Sequence, residues 1–321
     1  MKYKKTAIIF GISGQDGAYL ADLLIKKKYK IIGITRNLNK KNLKKLEILK
    51  IKNKIKLIKY KKFDLNFIKF LAKKLNNHIK EIYFLSGESS PKKSFDIPIE
   101  TFNSNSNNLL IILEYIRRYN SKTRLFYASS SEIFKKNKSQ IFDENSELDS
   151  RSPYATSKIA STLMIKNYRE EFKLFLCSGI LFNHESPLRS EQFVFTKIIK
   201  KLKQIKDRGG ILKLGNIQIK RDVGWAPEYV KAMWMMLQSK KPSDFVIGTG
   251  KIISIKDFIK LTIKILNIKK SIKVLKNQKF YRKNDLIAYK SNPNLIYKKL
   301  GWKSTLKIEE IIQKLINFEL Y

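Results

Sequence analysis

Cysteine is nearly absent: Cys177 is the only one in 321 residues. No disulfide framework can form within the chain, and no cysteine-based metal centre is available. Histidine is almost as scarce, with His78 and His184 alone. That leaves too few imidazoles for a histidine-based metal site, and no metal is expected. No uninterrupted apolar run approaches the roughly 18 residues that span a bilayer, so no membrane partner is expected either. The start, Met1-Lys2-Tyr3-Lys4-Lys5, leads straight into a strand-like run without a small-residue cleavage site. No signal peptide is read there, and a cytoplasmic location is the expectation. Acidic residues are few: 27 against 67 lysines and arginines, a formal net charge of +40. Such a charge invites a polyanion partner. The lysines, however, are spread along the whole chain among frequent Ile and Asn, the residues of A/T-rich codons. They are not gathered in an arm or stripe, so no specific nucleic acid is expected. The charge favours anionic substrates instead.

What is present begins with 43% hydrophobic residues, enough for one large domain or two moderate ones. Residues 6–10 form a β-rich run. Gly11-Ile12-Ser13-Gly14-Gln15-Asp16-Gly17 follows, and then a stretch from Tyr19 with helical spacing. In a strand–loop–helix setting these glycines permit a tight turn and let backbone amides approach a pyrophosphate at a helix N-terminus. A second strand, residues 30–34, ends in Thr35-Arg36, with no Asp or Glu before Glu47. An acidic residue there would suit the free 2′-hydroxyl of NAD; an arginine suits the 2′-phosphate of NADP. NADP is the expected cofactor.

Further strands are predicted over residues 55–60, 81–85 and 124–127, with a long helix over 101–119. The fourth strand runs out into Ser86-Gly87-Glu88-Ser89 and the fifth into Ala128-Ser129-Ser130-Ser131-Glu132. Alternating strands and helices predict an α/β fold, a doubly wound parallel sheet of Rossmann type. Ligands then lie at the carboxyl ends of the strands, where the glycines, Ser130, Ser131 and Glu132 fall. Residues 1–185 are expected to form the cofactor-binding domain. Residues 186–321 have shorter elements and should form mainly a smaller substrate-binding lobe, with some elements interleaving.

Arg151-Ser152-Pro153-Tyr154-Ala155-Thr156-Ser157-Lys158 opens a helix. Tyr154 and Lys158, at i and i+4, share a face. A nearby ammonium favours phenolate over phenol, which makes a base able to take a proton from an alcohol. A polar loop, Asn183-His184-Glu185-Ser186-Pro187-Leu188-Arg189, leaves the next strand as binding loops do. Alone, each of these is an ordinary surface or capping residue; in this order at successive strand ends they mark a site.

These residues resemble the extended short-chain dehydrogenase/reductase family, and within it most of all the GDP-mannose 4,6-dehydratases. The carriers are the glycine loop, Ser129-Ser130-Ser131-Glu132, the Tyr154–Lys158 segment, Asn167-Tyr168-Arg169-Glu170, the Asn183–Arg189 loop, Leu214-Gly215-Asn216 with Arg221-Asp222, and Leu300-Gly301-Trp302. The resemblance implies that Gly11, Ile12, Ser13, Gly14, Gln15, Asp16 and Gly17 hold the pyrophosphate, and that Arg36 holds the 2′-phosphate. It places Asp64 and Leu65 at the adenine. Leu85, Ser86, Gly87 and Ser89 would line the cofactor, with His184 and Arg189 closing over it. Asn183, Val194, Lys197, Gly215, Arg221, Arg282 and Asp285 would contact a GDP-sugar. Ser130, Glu132, Tyr154 and Lys158 would be catalytic. The implied reaction is redox-neutral: oxidation at carbon 4, loss of water across carbons 5 and 6, and return of the hydride to carbon 6.

The chain departs from the family at Ser90, Thr196, Val223, Trp225 and Lys283, and Asn37-Leu38-Asn39-Lys40-Lys41 replaces a second arginine and a serine-rich stretch. A homodimer is expected, with a tetramer as the alternative. Three other functions compete: dehydration of another GDP-sugar such as a GDP-heptose, a 4-keto sugar reductase or epimerase of the same family, and cofactor binding without catalysis. Glu132 favours elimination, because reduction and epimerisation need no such carboxylate.

Overall fold

Seven short strands lie side by side in one parallel sheet in the computed structural model, which describes residues 5–74, 79–277 and 287–318. They are β1 (Lys5–Phe10), β2 (Tyr29–Thr35), β3 (Ile55–Lys59), β4 (Glu81–Phe84), β5 (Arg124–Ser130), β7 (Leu176–Leu181) and β12 (Phe245–Ile247). Their order is β12-β7-β5-β4-β1-β2-β3, the doubly wound pattern with two strands added beyond β5. The strands read as apolar runs because both faces are covered. Ala7, Ile9, Tyr83 and Phe126 face α1 (Gln15–Lys26), α2 (Lys40–Ile48) and α8 (Ala226–Gln238). Ile8, Phe10, Phe84 and Tyr127 face α3 (Leu65–Lys74), α5 (Asn108–Tyr119) and α6 (Pro153–Glu171).

Two departures from the expected elements bear on the site. β5 continues to Ser130, since Ser129 and Ser130 pair with Ile180 and Leu181; a strand can end in polar residues where its neighbour still offers a ladder. The helix expected over 101–119 starts earlier and is not α-helical throughout: α4 (Pro98–Phe102) passes through a π turn, Asn103–Asn107, into α5. Such turns insert an extra residue into an otherwise α-helical ladder.

The lobe packs α7 (Val194–Gln204), α9 (Ile255–Ile265) and α11 (Ile308–Asn317) around Phe195, Ile198, Leu202, Phe258 and Ile311. The parallel pair β9 (Gly210–Leu214) and β14 (Ile272–Lys276) contributes Leu212 to the same core. The chain crosses between the two bodies more than once. β8 (Asn183–Glu185) pairs with β11 (Val223–Trp225), after which α8 returns to the large sheet and packs on α1, leading to β12. α10 (Asn294–Leu300) sends Ile296 into that same sheet-side core. A four-stranded sheet, β13 (Ile253–Ser254), β10 (Lys220–Arg221), β15 (Ala288–Ser291) and β6 (Ile141–Phe142), spans the junction. Asp222, fully buried between β10 and β11, accepts from Thr249 N and Oγ1, Gly250 N and Ser291 Oγ. A buried carboxylate supplied with this many donors fixes the loops it joins. Among the described residues no helix is long and apolar enough to cross a membrane.

Candidate active site

The glycine loop joins β1 to α1. Gly11 lies at φ +87°, and a Cβ built on it would come within 2.8 Å of the Leu85 backbone. On Gly17 it would stand 2.2 Å from Gly11 O. Glycine is therefore required by close approach of β1, α1 and the end of β4, as well as by conformation. Gly14 caps α1 without a side-chain hydrogen bond, so the first-turn amides are left for an anion. This cradle fits a dinucleotide pyrophosphate.

Gln15 and Asp16 turn toward β8 and the loop after it. Asp16 meets His184 Nε2 at 2.9 and 3.0 Å, while His184 Nδ1 lies 2.7 Å from Phe182 O. Both ring nitrogens lie within hydrogen-bond reach of oxygen atoms. The ring stacks on Tyr229 at 4.5 Å. Gln15 Nε2 and the Arg189 guanidinium both donate to His184 O, and Ser186 Oγ donates to Gln15 Oε1. His184 thus uses both ring nitrogens within the protein, locking the binding loop onto the glycine loop. Burial alone would raise the Asp16 carboxyl; the His184 charge and hydrogen bond, with Arg189, bring it below its ordinary value. The sign follows: a depressed folded pKa gives stability that is present above the unfolded value of about 4 and is lost as pH falls through the folded one. Thermal unfolding of the wild type should accordingly lose an acid-side increment, below about pH 4, that Asp16→Asn lacks. Parallel pH curves for the two proteins would remove the pair from the stability account.

Tyr154 and Lys158 lie on the first turns of α6. Pro153 at its first position and Ser152, which accepts from Ala155 N at 3.1 Å, start that helix where the sequence placed it. The π turn anchors it. Asn105 Nδ2 donates to Ser157 Oγ at 2.9 Å, Ser106 Oγ to Ser157 O, and Ser161 Oγ to Asn105 O. Tyr154 N also donates to Ser94 Oγ at 3.1 Å. Both side chains are buried. Lys158 Nζ donates to Ala128 O at 2.8 Å and stands 5.8 Å from the Tyr154 ring. Burial pushes Tyr154 up to about 12, against a hydrogen bond from Ser130 that lowers it and a Glu132 charge that raises it further. Burial brings Lys158 down to about 7. In the free protein Tyr154 is therefore a phenol. The lowering expected from Lys158 is not what sets the phenol here: burial dominates, and Lys158 Nζ is turned to a backbone carbonyl.

Ser130 accepts from Glu132 N at 3.3 Å, so the end of β5 and the turn after it are tied together. These groups open on a cavity of about 980 Å³ between the sheet ends and the lobe. Gly11, Gly14, Gln15, Asp16, Gly17, Leu85, Ser86, Gly87, Ser89, Ser130, Glu132, Tyr154, Lys158, Asn183, His184, Arg189, Val194, Lys197, Gly215 and Arg221 all line it. Five expected residues stand off its wall. Ile12 is buried in the core beneath the loop, Ser13 is half-buried, and Arg36 is exposed at the end of β2. Asp64 caps α3, accepting from Phe67 N at 2.9 Å, and Leu65 is that helix's first residue. Arg282 and Asp285 lie outside the described residues.

Glu88 lies in the stretch 85–89 expected to line the cofactor, while Lys45 and Glu185 are among the wall residues that carried no expected role of their own. Lys45 reaches in from α2. Glu88 accepts from Ser89 N, Ser90 N and Lys93, shaping the loop after β4. Glu185, fully buried, lies 3.1 Å from Arg189 Nε and accepts from Thr196 Oγ1 at 3.1 Å. It joins the binding loop to α7. Glu185 could have been found as the one carboxylate inside the Asn183–Arg189 loop. Nothing in the sequence distinguishes Lys45 from its many neighbours of the same charge.

The likeness to known proteins agrees with this geometry. The family model described as GDP-mannose 4,6 dehydratase matches residues 8–315. GDP-mannose 4,6 dehydratase 2 of Caenorhabditis elegans is 36% identical over 338 residues, covering 98% of this chain and 88% of its own. The Dictyostelium discoideum GDP-mannose 4,6 dehydratase is 35% identical, covering 98% and 95%. The Homo sapiens protein is 32% identical, covering 99% and 92%. Among solved structures, a UDP-N-acetylglucosamine 4-epimerase from Methanobrevibacter ruminantium superposes with a TM-score of 0.83 at 20% identity, over 98% of each chain. The dTDP-glucose 4,6-dehydratase of Bacillus anthracis, solved with NAD, gives 0.83 at 17%, over 97% of this chain and 95% of its own. The structures establish the fold alone. The sequence match runs through the glycine loop, the Tyr154 helix, the Asn183–Arg189 loop and the lobe alike, and the chain belongs to the GDP-mannose 4,6-dehydratase family.

Proposed function

We propose that the protein is an NADP-dependent GDP-mannose 4,6-dehydratase that converts GDP-mannose to GDP-4-keto-6-deoxymannose. One observation carries the reading: Ser130, Glu132, Tyr154 and Lys158 line one cavity with the glycine loop, and Ser130 Oγ accepts from Glu132 N at 3.3 Å. A reductase or epimerase shares Tyr154 and Lys158 and needs no such carboxylate. The glycine loop and α1 N-terminus would hold the pyrophosphate, and Arg36 the 2′-phosphate. Bound NADP⁺ supplies an acceptor, and later a donor, for one hydride.

The protein's own residues move the protons. Tyr154, as phenolate, takes the proton of the carbon-4 hydroxyl, with Ser130 hydrogen-bonded to the same oxygen. Anionic ligands favour the charged form of Lys158, and an ammonium 5.8 Å from the ring favours phenolate. The carbon-4 ketone acidifies the carbon-5 proton, which is otherwise inert. Glu132 removes that proton and delivers it to the departing carbon-6 hydroxyl, which leaves as water, and Tyr154 then gives the proton it holds to carbon 5. Arg221, over the Tyr289 ring at 5.0 Å, and Lys197 supply cations for the diphosphate of the sugar nucleotide. Exposed apolar side chains around α4 and on α6, Phe95, Ile99 and Leu163, support the homodimer as the working assembly.

Mass spectrometry of products from GDP-, CDP-, dTDP- and UDP-sugars with NADP⁺ tests the assignment. The expected result is loss of one water from GDP-mannose with no net cofactor reduction. Turnover of a different nucleotide sugar in preference would overturn the mannose assignment and leave the reaction class.

A further inference from the structure

Lys45 is set apart from the other cations of this chain by its place. α2 buries Leu43 and Leu46, which turns Lys45, half-buried, toward the glycine loop. Its Nζ donates to Ser13 O at 3.2 Å, and the side chain lines the cavity. An ammonium has three N–H groups, and the Ser13 carbonyl takes one. β1 and β2 are paired, with Phe10 opposite Ile34. The loop carrying Ser13 and the strand end carrying Arg36 are therefore adjacent. Two cations come from elements beside that loop, Arg36 directly after β2 and Lys45 from α2. The acidic residues nearest in sequence are committed elsewhere. Glu47 pairs with Lys52 at 2.8 Å, and Asp64 caps α3. Asp16, whose charge acts on Lys45, is already paired with His184. Lys45 and Arg36 thus offer donors and positive charge beside the loop, and each of these three carboxylates already has a partner.

We propose that Lys45 completes the 2′-phosphate site with Arg36 and is the residue that selects the phosphorylated dinucleotide. The inference rests on the NADP reading above. A charge-assisted hydrogen bond to a phosphate from a partly desolvated lysine is among the stronger single contacts, and its loss should weaken binding by about 10- to 100-fold.

Isothermal titration calorimetry of wild type and Lys45→Met with NADP⁺, NAD⁺, 2′-AMP and 5′-AMP tests it. The expected result is a wild type that prefers NADP⁺, and a variant that loses about 10- to 100-fold in affinity for NADP⁺ and 2′-AMP. NAD⁺ and 5′-AMP should change by less than about threefold, and they report that the site is still folded. An NADP⁺ preference that survives in the variant, or equal losses for NADP⁺ and NAD⁺, would overturn the role of Lys45 and leave the cofactor reading intact. A wild type that prefers NAD⁺ would overturn both.

Discussion

Glu132→Gln should bind cofactor and GDP-mannose as the wild type does and turn over about 10²–10⁴-fold more slowly. Glutamine keeps the size of the side chain and its reach into the cavity, and Glu132 N still bonds to Ser130 Oγ. What disappears is a group able to take the carbon-5 proton and give one to the leaving hydroxyl. The loss should fall on kcat with KM nearly unchanged, because the group acts after the substrate is seated. Removing its charge also removes one influence that holds Tyr154 up, so carbon-4 oxidation should not be the step that fails. Exchange of the carbon-5 hydrogen with solvent, followed by mass spectrometry in deuterium oxide, separates the steps. The variant should show neither exchange nor dehydrated product. Wild-type turnover in Glu132→Gln would remove the carboxylate from the mechanism.

Gly17→Ala sets two opposed effects against each other. Gly17 lies within α1, where alanine is favoured over glycine by about 1 kcal/mol. Propensity alone would predict a more stable protein. The added Cβ, however, would stand 2.2 Å from Gly11 O and 2.8 Å from Ile12 Cα. Both are backbone atoms, so no side chain can swing away. Overpacking of this kind costs about 1–3 kcal/mol, and a backbone contact this short belongs at the upper end. The expected outcome is net destabilisation of about 2 kcal/mol, seen as a lowered midpoint in calorimetry. NADP⁺ affinity should fall at least about tenfold, because the loop that must move is the one that presents the amides. Gly14→Ala is the internal comparison: its Cβ would lie 3.1 Å from Gly11 O, and its effect should be smaller. A stabilised Gly17→Ala protein with unchanged affinity would show that the loop is softer than its packing implies.

The parts of this site that are legible in the sequence are those whose signal is local. A glycine loop between a strand and a helix, a tyrosine four residues before a lysine, and serines at a strand end each declare themselves within a few residues. The Asp16–His184 pair does not, since its partners are 168 residues apart, and a polar side chain in a loop reads equally as a ligand contact or a solvated one. The π turn was hidden for a related reason. The Asn and Ser residues at 103–107 are poor helix formers, which signals an irregularity, yet only the packed structure shows Asn105 and Ser106 holding α6. The state of Tyr154 required burial. Spacing places Lys158 on the right face, but whether the ammonium points at the phenol or at Ala128 O is decided by tertiary contacts. Interleaving was expected, but not that α8 and β12 are the elements that return to the large sheet, because a short apolar run such as Phe245–Ile247 carries no mark of which sheet it joins.

In the proposed reaction one catalytic site oxidises carbon 4, eliminates water and returns the same hydride to carbon 6. GDP-mannose deuterated at carbon 4, turned over with unlabelled NADP⁺, tests this directly. The expected product is dehydrated and carries the deuterium on carbon 6, with no label retained in the cofactor pool. Deuterium left on carbon 4, or lost to the cofactor, would contradict it.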